Sequence, residues 1–162
     1  MCQSNLFIDI GNTAVKWLFN SQYQSALVSE FNLTLLPKAG KVFASCVGDQ
    51  SLLQGLDNVV FVESQSQFKN FISSYQNSTE LGTDRFLAMI ATIDQSTNQT
   101  RLIIDAGSAL TFDLVLANGA HQGGLIMPGL SKLRRSFDRF CTESQQLHNH
   151  NLADNTSDAW AC

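Results

Sequence analysis

The residues best suited to chemistry in this chain sit in the stretch LFIDIGNTAVKWLF, Leu6 to Phe19. An apolar run reaches Asp9, breaks at Gly11-Asn12-Thr13, and turns apolar again past Lys16. A glycine turn directly after a buried strand leaves backbone N–H groups free and lets another group approach closely. A phosphate suits such a turn, and Thr13 or Lys16 would add a hydroxyl donor or a positive charge. The phrase returns as LIIDAGSALTFDLV, Leu102 to Val115, which aligns to it without gaps. Asp105 falls on Asp9, Gly107 on Gly11 and Ser108 on Asn12. Two facing turns, each with an Asp, could hold a polyphosphate and its cations in the cleft between them. A second possibility stays open on the residues alone: a structural duplication whose Asp-x-Gly turns are ordinary turn chemistry. Neither G-x-x-x-x-G-K-[ST] nor G-x-G-x-x-G occurs, so the P-loop and dinucleotide fingerprints are excluded.

Several elements must position these turns. The first strand-turn-strand unit is expected from Leu6 to about Val28, with turns at Gly11-Asn12 and at Asn20-Ser21-Gln22. Lys41 to Val47 and Asn58 to Glu63 read as further strands. The segment QFKNFISSY places Phe68, Phe71, Ile72 and Tyr75 at i, i+3, i+4 and i+7, which predicts a helix with one buried stripe. A second helix is predicted from Thr83-Asp84, carrying Leu87, Ile90 and Ala91 inward. In a third segment Leu130, Leu133, Phe137 and Phe140 recur at helical spacing, and Lys132, Arg134, Arg135 and Arg139 supply a solvated opposite face. The spacing between the two Asp-x-Gly phrases is too long for a solenoid repeat and implies two lobes of similar build, residues 1–100 and 101–162.

With 162 residues the chain allows one full-sized domain or two small lobes, and 44% hydrophobic residues with 11 Phe suffice for a core. A net charge of −4 and a pI near 5.2 lack the basic footprint of a nucleic-acid or membrane-surface protein. No segment is long and apolar enough to cross a bilayer as a helix, and the N-terminus lacks the basic and apolar regions of a signal peptide. Cys2, Cys46, Cys141 and Cys162 are scattered without a C-x-x-C pair, which predicts reduced thiols and a cytoplasmic location. His148 and His150, near Cys141, match no standard zinc spacing and are expected to be surface residues.

The paired turns resemble the phosphate loops of the sugar kinase, Hsp70 and actin superfamily, and the chain more narrowly resembles type III pantothenate kinases. The family's D-x-G-N-T-x-x-K is met by Asp9, Gly11, Asn12, Thr13 and Lys16. Its strand motif ending in S-S-V resembles Ala44-Ser45-Cys46-Val47. Y-x-N-P-x-x-L-G-x-D-R is met at Tyr75, Asn77, Leu81, Gly82, Asp84 and Arg85, with Ser78 in place of proline. D-A-G-T-A-x-T is met from Asp105 to Thr111 with Ser108 in place of threonine, and G-G-x-I-x-P-G by Gly123, Gly124, Ile126, Pro128 and Gly129. Five ordered motifs across nearly the whole chain make the resemblance specific.

The resemblance implies an α/β fold of two ribonuclease-H-like lobes with the second lobe incomplete. It also implies transfer of the ATP γ-phosphoryl group to the primary hydroxyl of pantothenate, the first step of coenzyme A synthesis. Such a transfer needs positioning, charge neutralisation and a base. The base falls on Asp84, whose alternative is a cap for the helix that follows. Tyr75, Gly82, Thr83, Asp84 and Arg85 correspond to the substrate motif, with Arg85 directed at the pantothenate carboxylate and a surface salt bridge as its alternative. Asp9, Gly11, Asn12, Thr13, Lys16 and Ser108 correspond to ATP-binding positions. Asp105 corresponds to the ligand of a monovalent cation, K⁺ or NH₄⁺, and Asp9 is a candidate for Mg²⁺. Gly123-Gly124 and Pro128-Gly129 are expected to shape a hairpin and a helix start beside the pocket.

The segment Leu152 to Trp160 resembles L-G-x-N-T-x-x-A with Ala153 in place of glycine, and Thr156 corresponds to a residue that reaches pantothenate across a homodimer interface. Family members usually continue well beyond Cys162. The expected consequences are uncovered apolar faces on the second lobe, a poorly soluble or associated chain and weak ATP binding. A non-catalytic relative that binds ligand or acts as an accessory factor is the competing function.

Overall fold

The alternation of apolar residues in the first half of the chain produces a five-stranded sheet in the computed structural model, which describes residues 4–95 and 99–137. Its strands are β1 (Asn5–Ile10), β2 (Ala14–Phe19), β3 (Gln22–Leu27), β4 (Lys41–Cys46) and β5 (Val59–Phe61), in spatial order β3-β2-β1-β4-β5. β1, β2 and β3 form an antiparallel meander, whereas β4 runs parallel to β1 and β5 parallel to β4. The β2–β3 turn closes on Asn20 and Ser21, both at positive φ (48° and 63°), the conformation a tight two-residue hairpin demands.

Because successive side chains alternate across a strand, one face of this sheet packs a core and the other mixes apolar with ionisable side chains. Leu6, Ile8, Ile10, Val15, Trp17, Val42 and Ala44 point to a core completed by Leu53 and flanked by Phe31, Leu33 and Leu36. Phe7, Asp9, Lys16, Leu18, Phe43 and Ser45 line a cleft on the opposite side, with Phe7 stacked on Phe43 at 5.6 Å between ring centroids.

The segment expected to be a helix around Phe68 to Tyr75 is instead a small hairpin, β6 (Gln67–Phe68) and β7 (Phe71–Ile72). Lys69 adopts φ 50° at its turn. Nine residues are too few to nucleate a helix without tertiary support, and here tertiary pairing acts in the other direction. The Ile72 amide donates to the Gly119 carbonyl at 3.1 Å, and Ile72 bridges to Ala120. Phe71 is fully buried while Ile72 is exposed, as in a strand rather than a helical stripe. Gly119 (φ 87°) approaches so closely that a Cβ there would collide with the Asn70 carbonyl oxygen.

α1 (Thr83–Gln95) begins where the sequence predicts, but its buried side differs. Phe86 and Met89 are the fully buried residues, Leu87, Ile90 and Ile93 are half-buried, and Ala91 is exposed. The run FLAMIATI is apolar almost all round, so periodicity alone could not orient it. Phe71, Leu81, Phe86, Met89 and Val115 form the second core, which Ile103 also joins.

The second sheet is an antiparallel trio, β8 (Arg101–Ala106), β9 (Ala109–Val115) and β10 (His121–Pro128), in order β10-β9-β8. Ile103, Thr111, Asp113 and Val115 share the face toward α1. On the other face Leu102, Ile104 and Leu125 are each more than half exposed. Gly123 (φ 100°) and Gly124 form a bulge inside β10 rather than a hairpin turn. α2 (Leu130–Phe137) follows Gly129; Lys132 and Arg135 are exposed as expected, but so is Leu130. Arg139, Phe140, Cys141, His148 and His150 lie outside the described residues.

Candidate active site

The two Asp-x-Gly phrases fold as the two hairpins β1–β2 and β8–β9, but their ungapped alignment is not kept in three dimensions. In the first hairpin Asp9 pairs with Lys16 and Ile10 with Val15. In the second Asp105 pairs with Thr111 and Ala106 with Leu110. The second turn spends one residue fewer, Gly107-Ser108 against Gly11-Asn12-Thr13, so β9 is slipped by one position relative to β2. A one-residue slip exchanges the faces of a strand, so Phe112, which aligns with Lys16, is not its structural counterpart.

The turns face one another. Thr13 Oγ1 and Ser108 Oγ lie 2.6 Å apart, a hydrogen bond between residues of the two hairpins. Each turn closes on its glycine amide: Gly11 N–H donates to Ala14 O at 3.0 Å and Gly107 N–H to Ala109 O at 2.8 Å. Each is also backed by a glycine from a neighbouring element. A Cβ on Gly48, just after β4, would lie 2.6 Å from the Gly11 carbonyl oxygen. A Cβ on Gly129, at the start of α2, would collide with the Gly107 carbonyl oxygen and stand 2.9 Å from Ser108 C and O. Gly129→Ala is therefore expected to cost about 1–3 kcal/mol by overpacking rigid backbone, read as a lowered urea midpoint. An unchanged midpoint would show that the turn yields freely.

Asp9, Lys16, Ser45, Asp84 and Asp105 line one cleft of about 570 Å³, together with Phe7, Phe43, Leu18 and Leu87. Burial pushes the Asp9 carboxyl above its ordinary pKa, opposed by the Lys16 ammonium and the Ser45 hydroxyl; the like charges of Asp84 and Asp105 push it up further. Lys16 Nζ stands 3.8 Å from Asp9 Oδ2, with both side chains roughly half exposed, so this pair contributes little to stability. Three carboxylates against one ammonium make the cleft acidic. Among the described residues no three His, Cys, Asp or Glu side chains come close enough to hold a metal ion by themselves. A cation there would need oxygens from a bound ligand or water, the ordinary situation for Mg²⁺ on a nucleotide.

Asp84 is the second residue of α1, and its Oδ1 accepts the Arg85 amide proton at 2.7 Å. This serves one of the unpaired amides of the first turn, so the capping contact exists. Asp84 also lines the cleft. Gly82 precedes the helix, its carbonyl accepting from Phe86 N at 3.0 Å, and a Cβ on it would sit 2.6 Å from Asp84 Oδ1. Thr83 is the half-buried first helical residue.

Arg85 is 4% exposed and forms a buried ion pair, not a surface one. Its Nε and Nη2 donate to Asp113 Oδ2 and Oδ1 at 2.9 and 2.5 Å, and Nη1 donates to the Tyr75 hydroxyl at 3.1 Å. The Asp113 hydrogen bonds raise the already high guanidinium pKa, against the opposing effect of burial. His121 Nε2 stands 3.0 Å from Asp113 Oδ1, and because a carboxylate only accepts, that nitrogen carries the proton. His121 Nδ1 lies 3.2 Å from Ser74 Oγ, and the ring stacks on Phe71 and Tyr75. Gly124 pairs opposite Asp113, and a Cβ there would collide with the Asp113 carboxylate and approach the Arg85 guanidinium to 2.5 Å. The bulge glycines thus make room for this ion pair.

The structure brings Asp9, Lys16, Asp84 and Asp105 to one cleft and Thr13 and Ser108 into contact, with Gly11 and Asn12 in the first turn. Tyr75 sits on a loop, joined to Arg85 in the adjoining buried network. Thr156 lies outside the described residues. Asp113 and His121 were not anticipated; the signal for Asp113 is a carboxylate inside the apolar alternation of TFDLV.

A family profile described as type III pantothenate kinase matches residues 47–160. Type III pantothenate kinase of Colwellia psychrerythraea is 33% identical over 160 residues, covering 88% of this chain and 63% of the relative. That of Pseudoalteromonas translucida is 33% identical over 141 residues, covering 81% and 59%. A Campylobacter jejuni crystal structure, described as a conserved putative Baf family transcriptional activator, superposes with a TM-score of 0.62 at 27% identity, covering 95% of this chain and 70% of that one. The chain thus spans about three-fifths of the length of the first curated relatives it matches. With the profile covering most of its length, the chain belongs to the type III pantothenate kinase family.

Proposed function

We propose that the protein phosphorylates pantothenate to 4′-phosphopantothenate with ATP, the entry step of coenzyme A synthesis. The observation that carries this is the meeting of the two Asp-x-Gly turns at Thr13 and Ser108, over a cleft lined by Asp9, Asp84 and Asp105. Residues 1–100 and 101–162 form the two ribonuclease-H-like lobes in this proposal. The order β3-β2-β1-β4-β5 and the matching antiparallel start of the second sheet support it. The turn amides, Thr13, Lys16 and Ser108 receive the phosphates, Asp84 takes the proton of the pantothenate hydroxyl, and Tyr75 with Arg85 borders the substrate. Asp9 would hold Mg²⁺ and Asp105 a monovalent cation, K⁺ or NH₄⁺. Bound there, the ions neutralise phosphate charge that the acidic cleft would otherwise repel. A homodimer would bring Thr156 of a second copy to the substrate, and the acting compartment is the cytoplasm.

The test is pantothenate-dependent ADP release with K⁺ present and absent. Release that requires both supports the proposal, and its absence at high enzyme concentration rejects turnover by this chain. One observation favours a second reading, a non-catalytic regulatory relative: the description of the Campylobacter protein as a putative transcriptional activator. Pantothenate binding without ADP release would select it.

A further inference from the structure

Ser45 belongs to the cleft yet has no assigned role. It lies on β4 directly beside Asp9 of β1 in the parallel register, on the face that carries the cleft rather than the core. The residue is 6% exposed, and its hydroxyl, although close enough to the Asp9 carboxylate to lower its pKa, is the one buried side-chain polar atom among the described residues that makes no well-formed hydrogen bond. An unsatisfied buried hydroxyl costs about 1–3 kcal/mol, so in a packed sheet it would ordinarily be replaced by alanine or paired. A ligand that supplies the missing partner accounts for it.

The charge of the cleft identifies the kind of ligand group. Asp9, Asp84 and Asp105 surround the site against the single ammonium of Lys16, so an unshielded phosphate oxygen is disfavoured there. A neutral alcohol is not repelled. It can donate its proton to a carboxylate and accept one from a serine hydroxyl, the two bonds that would orient it for attack. We propose that Ser45 Oγ donates a hydrogen bond to the acceptor alcohol of the substrate, the primary hydroxyl of pantothenate, while that hydroxyl points its proton at Asp84. The inference rests on the pantothenate kinase reading of the same cleft. The substrate hydroxyl would take the place of the Asp9 carboxylate, which lies beside Ser45 in the register and whose pKa the Ser45 hydroxyl lowers.

The experiment is calorimetric binding of pantothenate, and of its analogue lacking the primary hydroxyl, to the full chain and to Ser45→Ala. Because the hydroxyl makes no well-formed hydrogen bond within the protein and only touches the half-exposed Asp9 carboxylate, the variant is expected to melt within about a degree of wild type. It should bind pantothenate five- to twentyfold more weakly and the deoxy analogue unchanged. Ser45→Cys, of similar shape but a weak donor, should behave like Ser45→Ala toward both ligands. Equal weakening toward both ligands, no weakening toward either, or a melting loss of several degrees would overturn the role of Ser45 and leave the kinase reading standing. A wild-type chain that binds no pantothenate at millimolar concentration would overturn both.

Discussion

Asp84→Asn is expected to lower pantothenate-dependent ADP release by about 10²–10⁴-fold, the usual contribution of a positioned general base, while leaving the fold intact. The substitution separates the capping contact from the proposed base. Oδ1 accepts the Arg85 amide at 2.7 Å, and an asparagine oxygen accepts it equally, so the first turn of α1 stays capped. The glycine at 82 still clears the side chain, because asparagine has the same reach. Basicity is lost. A second readout follows from the electrostatics. Asp84 is among the charges that raise the Asp9 pKa, so its neutralisation should lower the Asp9 titration in a carboxylate NMR experiment. A variant with native circular dichroism, a lowered Asp9 pKa and more than a tenth of wild-type turnover would sink the assignment of Asp84 as base. Without the Asp9 shift, the two carboxylates do not share the cleft.

Local chemistry made parts of this fold legible. Asp-x-Gly between alternating apolar runs can form little but a hairpin, and both hairpins are present. The strands expected over Lys41 to Val47 and Asn58 to Glu63 are present as β4 and the shorter β5, legible from their short runs of Val and Phe. What sequence pattern could not show was set by contacts distant along the chain. Phe68, Phe71, Ile72 and Tyr75 fit a helical stripe, yet pairing with the Gly119 carbonyl makes the segment a hairpin. The copy of the opening phrase matches in type through its strand and Asp-x-Gly turn, but a turn shorter by one residue slips the strand that follows it. Within the site, Asp9, Asp84 and Asp105 announced themselves by motif. Asp113 and His121 did not, because only the second sheet's packing on α1 brings them to Arg85, 28 residues from Asp113 in sequence.

Asp113→Ala is expected to cost about 3–5 kcal/mol, the usual penalty for stranding one partner of a buried ion pair. Arg85 has almost no exposed surface through which water could replace the lost carboxylate, and Asp113 itself is 1% exposed. Three of the contacts holding the network end on that one carboxylate: two from Arg85 and one from His121. Against a total stability of about 5–15 kcal/mol for a domain, the loss should lower the urea midpoint by about a fifth or more. Arg85→Met combined with Asp113→Leu should recover most of it, since apolar groups of similar volume need no desolvation. That recovery decides what the pair is for. If the double variant is as stable as wild type but binds pantothenate at least tenfold more weakly, the ion pair serves the substrate wall by fixing Tyr75, whose hydroxyl accepts from Arg85 Nη1. If it is stable and binds normally, Arg85 is a strut between α1 and β9, and the substrate contact must be sought elsewhere. A single variant cannot make this distinction, because it perturbs the fold and the pocket together.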